Sequence, residues 1–228
     1  MTETELLRRI YPSVVTFVGD WKKMVKDVSR LGLREISLFL TGVGFRERQE
    51  IYKALEKTSV KHIPHVHIRH DMKEQELDYL VKRFKSKVFT IHYQYIKNFR
   101  NFKHLKRLFI ESNRGPGRIK SLKPFEKIGG ICIDLSHMAK FKIVCPKDYL
   151  MADKVAKKFK VGCNHISAFN KKNCRAWHQV KKISELDYLK DMPKNYFSKY
   201  INIELANSIS EQLKFKKYIA KLLAKTWK

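Results

Sequence analysis

Apolar and β-branched residues gather in eight short runs: SVVTFVG from residue 13, EISLFLTGV from 35, PHVHIRH from 64, KVFTIHY from 87, RLFIES from 107, GICIDLS from 130, VGCNHIS from 161 and YINIELA from 200. In most of them the apolar positions follow one another instead of alternating, as expected of strands covered on both faces of a parallel sheet. The intervening segments repeat near every 3.6 residues. DWKKMVKDVSRLG closes on a glycine, FRERQEIYKALEKT carries Ile51 and Leu55 on one face, and DMKEQELDYLVKRF repeats the spacing with Leu77, Leu80 and Val81. DYLMADKVAKKF, SELDYLKDM and SEQLKFKKYIAKLLAKTW continue the helical pattern. Strands alternating with crossover helices predict an α/β fold, a single (β/α)8 TIM barrel over residues 1–228, because right-handed crossovers close such a sheet on itself. An open doubly wound sheet would need a glycine-rich phosphate turn after its first strand, and VGDWKK is a poor one.

In such a barrel the chemistry sits at the C-terminal strand ends. The third run ends in His67, Arg69, His70 and Asp71, the fourth in His92, the fifth in Glu111, the sixth in Asp134 and His137, the seventh in His165 and the eighth in Glu204. Carboxylates are scarce, with 22 Asp and Glu against 49 Lys and Arg, so their recurrence at these ends is informative. A carboxylate beside a low-dielectric interior is costly without a compensating cation. Glu111, Asp134, His165 and Glu204, from four consecutive strands, form a mixed oxygen and imidazole set of the kind favoured by zinc, manganese or iron. Any one of them alone reads equally well as a hydrogen-bonded core group. Their coincidence at equivalent ends is what points to a metal.

Charge adds a class of partner. The formal net charge is +27, a field that draws in polyanions, so DNA or a sugar phosphate is the expected anionic substrate. The lysines are spread along the chain and form no basic tail, which is also how a solvated surface reads. After the fourth run, HYQYIKNFRNFKHLKR interleaves aromatic and basic residues, and NRGPGR follows the fifth. Arg69, Tyr93, Arg114 and Arg118 are the candidates for substrate or phosphate contact, whereas Phe99, Phe102 and Leu105 recur at a spacing that packs onto the barrel. The four cysteines lack metal-site or disulfide spacing and suit a reduced cytoplasmic setting. The N-terminus lacks the apolar core of a signal peptide and no run is long enough for a membrane span, so no membrane partner is expected.

FIES, GPG and FEKIGGICIDLSH together resemble the xylose isomerase-like barrel superfamily: its glutamate strand, its glycine-rich loop and its Asp-x-x-His strand end. That superfamily includes sugar isomerases and epimerases and the endonuclease IV type of abasic-site nuclease. The resemblance implies a divalent metal, zinc or manganese, held by Glu111, Asp134, His165 and Glu204 in either branch. Its endonuclease branch further implies His92 and either His67 or His70 at a second ion, and His137 and His178 at a third. There Glu111 would bridge two ions, and Glu111, Glu204 and His137 would be catalytic in hydrolysis of abasic or damaged DNA. In the isomerase branch, Glu111 and Glu204 would act as an acid and base pair on a sugar or sugar phosphate. The chain departs from the endonuclease pattern at CRAWHQV, where Ala176 occupies the place of an aspartate two residues before His178, and at HISAFN after the seventh strand.

Overall fold

The structure, a computed structural model, describes residues 1–111 and 121–227. Arg114 and Arg118 lie outside the described residues. Each of the eight apolar runs contains a strand, and the helices form where the 3.6-residue pattern places them. The strands are β1 (Ile10–Tyr11), β2 (Ser13–Val15), β3 (Ser37–Phe39), β4 (His65–His67), β5 (Val88–His92), β6 (Leu108–Glu111), β7 (Gly130–Asp134), β8 (Val161–Ile166), the hairpin β9 (Ala168–Asn170) and β10 (Arg175–Trp177), and β11 (Ile201–Ile203). The helices are α1 (Glu3–Leu7), α2 (Trp21–Arg30), α3 (Phe45–Glu56), α4 (Glu74–Phe84), α5 (Lys123–Lys127), α6 (Leu135–Val144), α7 (Pro146–Lys158) and α8 (Ile209–Thr226). SELDYLKDM is wound instead as a 3-10 helix, Ile183–Asp191, whose Leu186 and Leu189 share one buried edge at the i, i+3 spacing of that helix.

Nine strands form one parallel sheet in the order β1-β11-β8-β7-β6-β5-β4-β3-β2, nearly closed as a barrel. The count exceeds the expected eight because the chain changes neighbour at Pro12, which has no N–H to give a ladder. Before it, β1 pairs with β11; after it, β2 pairs with β3.

Side-chain hydrogen bonds hold the seam. Gln212 of α8 is fully buried; its carbonyl accepts the Ser13 N–H at 2.7 Å, and its amide lies 3.1 Å from the carbonyls of Ser13 and Leu205 and 3.0 Å from that of Asn207. Ser13 Oγ also donates to the Ile203 carbonyl across the same gap. Ser208 caps α8 in a reciprocal capping box with Glu211, which fixes the start of the helix that delivers Gln212.

The N-terminal end of the barrel interior is floored by Val88, Phe109, Cys132 and Cys163, one residue from each of four neighbouring strands. Phe109 fits only because the chain passes it without side chains. A Cβ at Gly129 or Gly162 would overlap its ring; one at Gly130, whose φ is +137°, would instead run into the Lys160 carbonyl. Outside the sheet, apolar faces such as Ile51, Tyr52 and Leu55 of α3 and Ile219, Ala220 and Leu223 of α8 complete the core.

Replacing Gln212 by Leu keeps the volume but strands the Ser13 N–H and three carbonyls in the seam. The expected loss is about 3 kcal/mol or more, given roughly 1–3 kcal/mol for each buried polar group left unpaired. Urea unfolding followed by circular dichroism measures it; a midpoint equal to that of the parent would show that Gln212 does not hold the seam.

Candidate metal centre

The strand register brings the polar ends together. His67 pairs with Thr90, His92 with Glu111, and Asp134 with His165, so groups distant in sequence sit side by side on adjacent strands. Glu204 follows β11 directly, its N–H bonded to the Ile166 carbonyl at 2.8 Å. Successive strand residues face opposite sides, so His65 and His67 both enter the barrel while Val66 between them packs outside.

Glu111 is the centre of the cluster. Its Oε2 lies 2.6 Å from His67 Nε2 and 3.3 Å from His92 Nε2, while its Oε1 lies 3.1 Å from His165 Nδ1. His165 Nδ1 is also 3.5 Å from Glu204 Oε2. Asp134 caps α6: its Oδ1 accepts from Ser136 Oγ at 2.7 Å and from the His137 N–H at 2.9 Å, and its Oδ2 lies 2.7 Å from His137 Nδ1. Two groups among the described residues have ligand atoms all within 4.8 Å of one another: His67, Glu111 and His165, and Glu111, Asp134, His165 and Glu204. Every member is buried.

These residues fit a divalent ion. Glu204 Oε2 is buried with no hydrogen-bond partner among the described residues, although it faces three other donor groups. A buried carboxylate oxygen without a donor calls for a cation, and carboxylates mixed with imidazole suit a borderline metal.

Proton affinities are pulled apart within the cluster. Burial pushes the Glu111 carboxyl up, but His165 and His67 outweigh it and hold Glu111 well below the usual carboxylate range. Glu204 moves the other way: burial drives it well above that range, and Glu111 and Asp134 add to the rise against the pull of His165. Burial lowers His165, yet Cys132 and Glu111 beside it leave it well above an ordinary imidazole. Burial brings His67 down to about 4 despite Glu111. For His137, burial is overcome by Asp134, and the ring is raised. Without an ion, the protons on Glu204 and His165 do part of an ion's electrostatic work.

A cavity of about 450 Å³ opens over the cluster, lined in part by His67, His92, Glu204, Phe17, Thr41 and Arg69. Of the two third-strand candidates, His67 joins the close groups. His70 belongs to neither and stacks on Tyr95, with ring centroids 4.7 Å apart. His137 and His178 line the cavity outside both groups; His178 Nδ1 lies 3.2 Å from the Glu204 carbonyl. Ala176 sits in β10 opposite Phe169 and supplies no ligand there. Arg69 reaches the cavity with its Nε 3.7 Å from Asp71 Oδ1.

Tyr93 does not line this cavity. It opens the 3-10 helix Tyr93–Phe99, so the chain turns outward after His92, and its hydroxyl bonds to the Ser121 carbonyl at 3.3 Å. Tyr95, two residues on, lines the cavity instead. Phe99 is buried and edge-on to Phe102, in keeping with the packing spacing.

Two buried residues escaped the sequence reading. His65 lies beneath the cluster, its Nε2 3.1 Å from His165 Nε2; its place two residues before His67 was the available signal. Arg48 is fully buried and pairs with Glu76 at 2.9 Å and Asp71 at 3.1 Å, tying the turn that carries Arg69 and His70 to α3 and α4. Its phase, three and four residues before Ile51 and Tyr52, already marked it as inward-facing.

No protein-family model matches the chain, and no curated protein matches it at a significant level.

Because Glu204 and His165 both have raised proton affinities in the metal-free protein, an ion must displace protons to bind. Zinc binding is therefore expected to release protons near neutral pH, and affinity to fall as pH drops and those groups fill. Calorimetry in two buffers of different ionisation heat measures the release; identical heats in both would remove the coupling.

Proposed function

We propose that the chain is a divalent-metal-dependent phosphodiesterase of the endonuclease IV kind, acting on abasic or damaged DNA in the cytoplasm. Its fold is read as one (β/α)8 barrel of the xylose isomerase-like type whose first strand is broken at Pro12. The observation that carries this reading is the position of Glu111, which offers one oxygen to His67 and His92 and the other to the side of His165, Asp134 and Glu204. The two close groups share Glu111 and His165 and differ in His67 on one side and Asp134 and Glu204 on the other, which supports a second ion beside the first, as phosphodiester hydrolysis uses.

Zinc is the metal we assign, and bound there it would activate a water and polarise phosphoryl oxygens. Asp134 is held by three hydrogen-bond donors and keeps its carboxylate fixed toward the centre. Arg69, partly exposed at the cavity, is placed to neutralise a phosphate, and the +27 charge draws the duplex in. The isomerase alternative asks Glu111 to exchange protons with a sugar carbon, and its two oxygens are already committed to imidazoles. A third ion is not assigned, since Ala176 offers no ligand beside His178.

The purified protein is expected to hold two equivalents of zinc and to nick an abasic-site duplex, with activity falling steeply as salt rises. Glu204→Gln should cost at least roughly 10–100-fold in activity, the range seen when even an outer partner of a metal ligand is lost, while leaving the thermal transition in place. One equivalent of metal together with interconversion of ketoses, and no nicking, would replace this proposal with the isomerase.

A further inference from the structure

His65 is outside both ligand groups, yet it touches one of their members. His165 Nδ1 faces Glu111 and Glu204, so that nitrogen is the one turned to an ion; its Nε2 lies 3.1 Å from His65 Nε2. Two imidazole nitrogens at that separation form a hydrogen bond only if one carries a proton and the other a lone pair.

For Nδ1 of His165 to present a lone pair to a cation, its remaining proton must sit on Nε2, and a buried Nε2–H needs an acceptor. We infer that His65 is a positioning residue, accepting the His165 Nε2–H on its own Nε2 and so fixing His165 with Nδ1 free for the metal. This rests on the metal reading above and deepens it.

The surroundings favour that assignment. Phe39 packs against both rings, with centroids 5.2 Å from His65 and 4.9 Å from His165, and both imidazoles are fully buried. The buried Cys132 thiol also lies beside the His165 ring, and sulfur is a weak acceptor compared with an imidazole lone pair. Thr90 Oγ1 lies 3.0 Å from the same His65 nitrogen and is the rival partner that the opposite tautomer, with the proton on Nε2, would use.

The arrangement has a cost that selects it from chance packing. With Nε2 as acceptor, the His65 proton sits on Nδ1, and that atom is buried with no hydrogen-bond partner among the described residues. An orphaned buried donor is destabilising, and a leucine in its place would pack against Phe39 without that penalty.

Long-range proton–nitrogen correlation spectra of the full chain with ring-labelled histidine decide the matter. In the metal-free and zinc-loaded protein alike, His65 is expected to carry its proton on Nδ1 and His165 to carry one on Nε2; a His65 protonated on Nε2 in either state overturns the proposal. Chelator competition should show zinc bound 10–100-fold more weakly by His65→Leu. His65→Gln, whose side-chain oxygen comes near the place of Nε2, should recover most of it. Unchanged zinc affinity in a folded His65→Leu also overturns the proposal. If the parent protein takes up no zinc, the metal reading falls, and the metal-free spectrum still decides the tautomers.

Discussion

A carboxylate buried inside a barrel must have its charge answered, and in this molecule Glu111 sets that requirement. Only 2% exposed, it sits among His67, His92 and His165, and the other two carboxylates of the rim crowd the same space. Their proton affinities part accordingly, Glu111 held well below the usual carboxylate range and Glu204 driven well above it, as expected of neighbouring acids that resist being charged together. A divalent ion would satisfy both at once. The polar identity of the interior, including His65 below and His137 above, follows from this demand.

Such a cluster needs a frame that does not relax around it. The frame is made by devices away from the chemistry: Gln212 closing the seam where Pro12 changes the strand's neighbour, and Phe109 filling the floor beside Gly129 and Gly162. Between floor and rim, Phe39 touches three imidazoles and supplies the low-dielectric wall against which their charges matter. Arg48 serves the rim from outside the sheet. Its fork holds Glu76 and Asp71, so the turn after β4 is anchored by a buried ion pair where a free loop would otherwise stand.

Charge acts on two scales. At long range the +27 field favours anionic partners whatever their shape. At short range three of the scarce acids, Glu111, Asp134 and Glu204, meet inside a chain that is otherwise basic. No helix among the described residues is long and apolar enough to cross a membrane, and all four cysteines are free.

The apolar runs and the intervening helical periods determined which segments become strands and helices, because burial on both faces of a parallel strand and on one face of a helix leaves a local imprint. The scarcity of acids likewise made Glu111, Asp134 and Glu204 conspicuous at successive strand ends. Side-chain direction was not fixed by that imprint. Whether His67 or His70 turns inward, whether Tyr93 or Tyr95 meets the cavity, and that His65 lies under His165 depend on where each strand stops and how neighbours register. The split at Pro12 and the Gln212 seam belong to the same class, for they join residues about two hundred positions apart. Periodicity reports the neighbours of a residue along its own element; only the closed packing of all the elements decides which atoms meet across it.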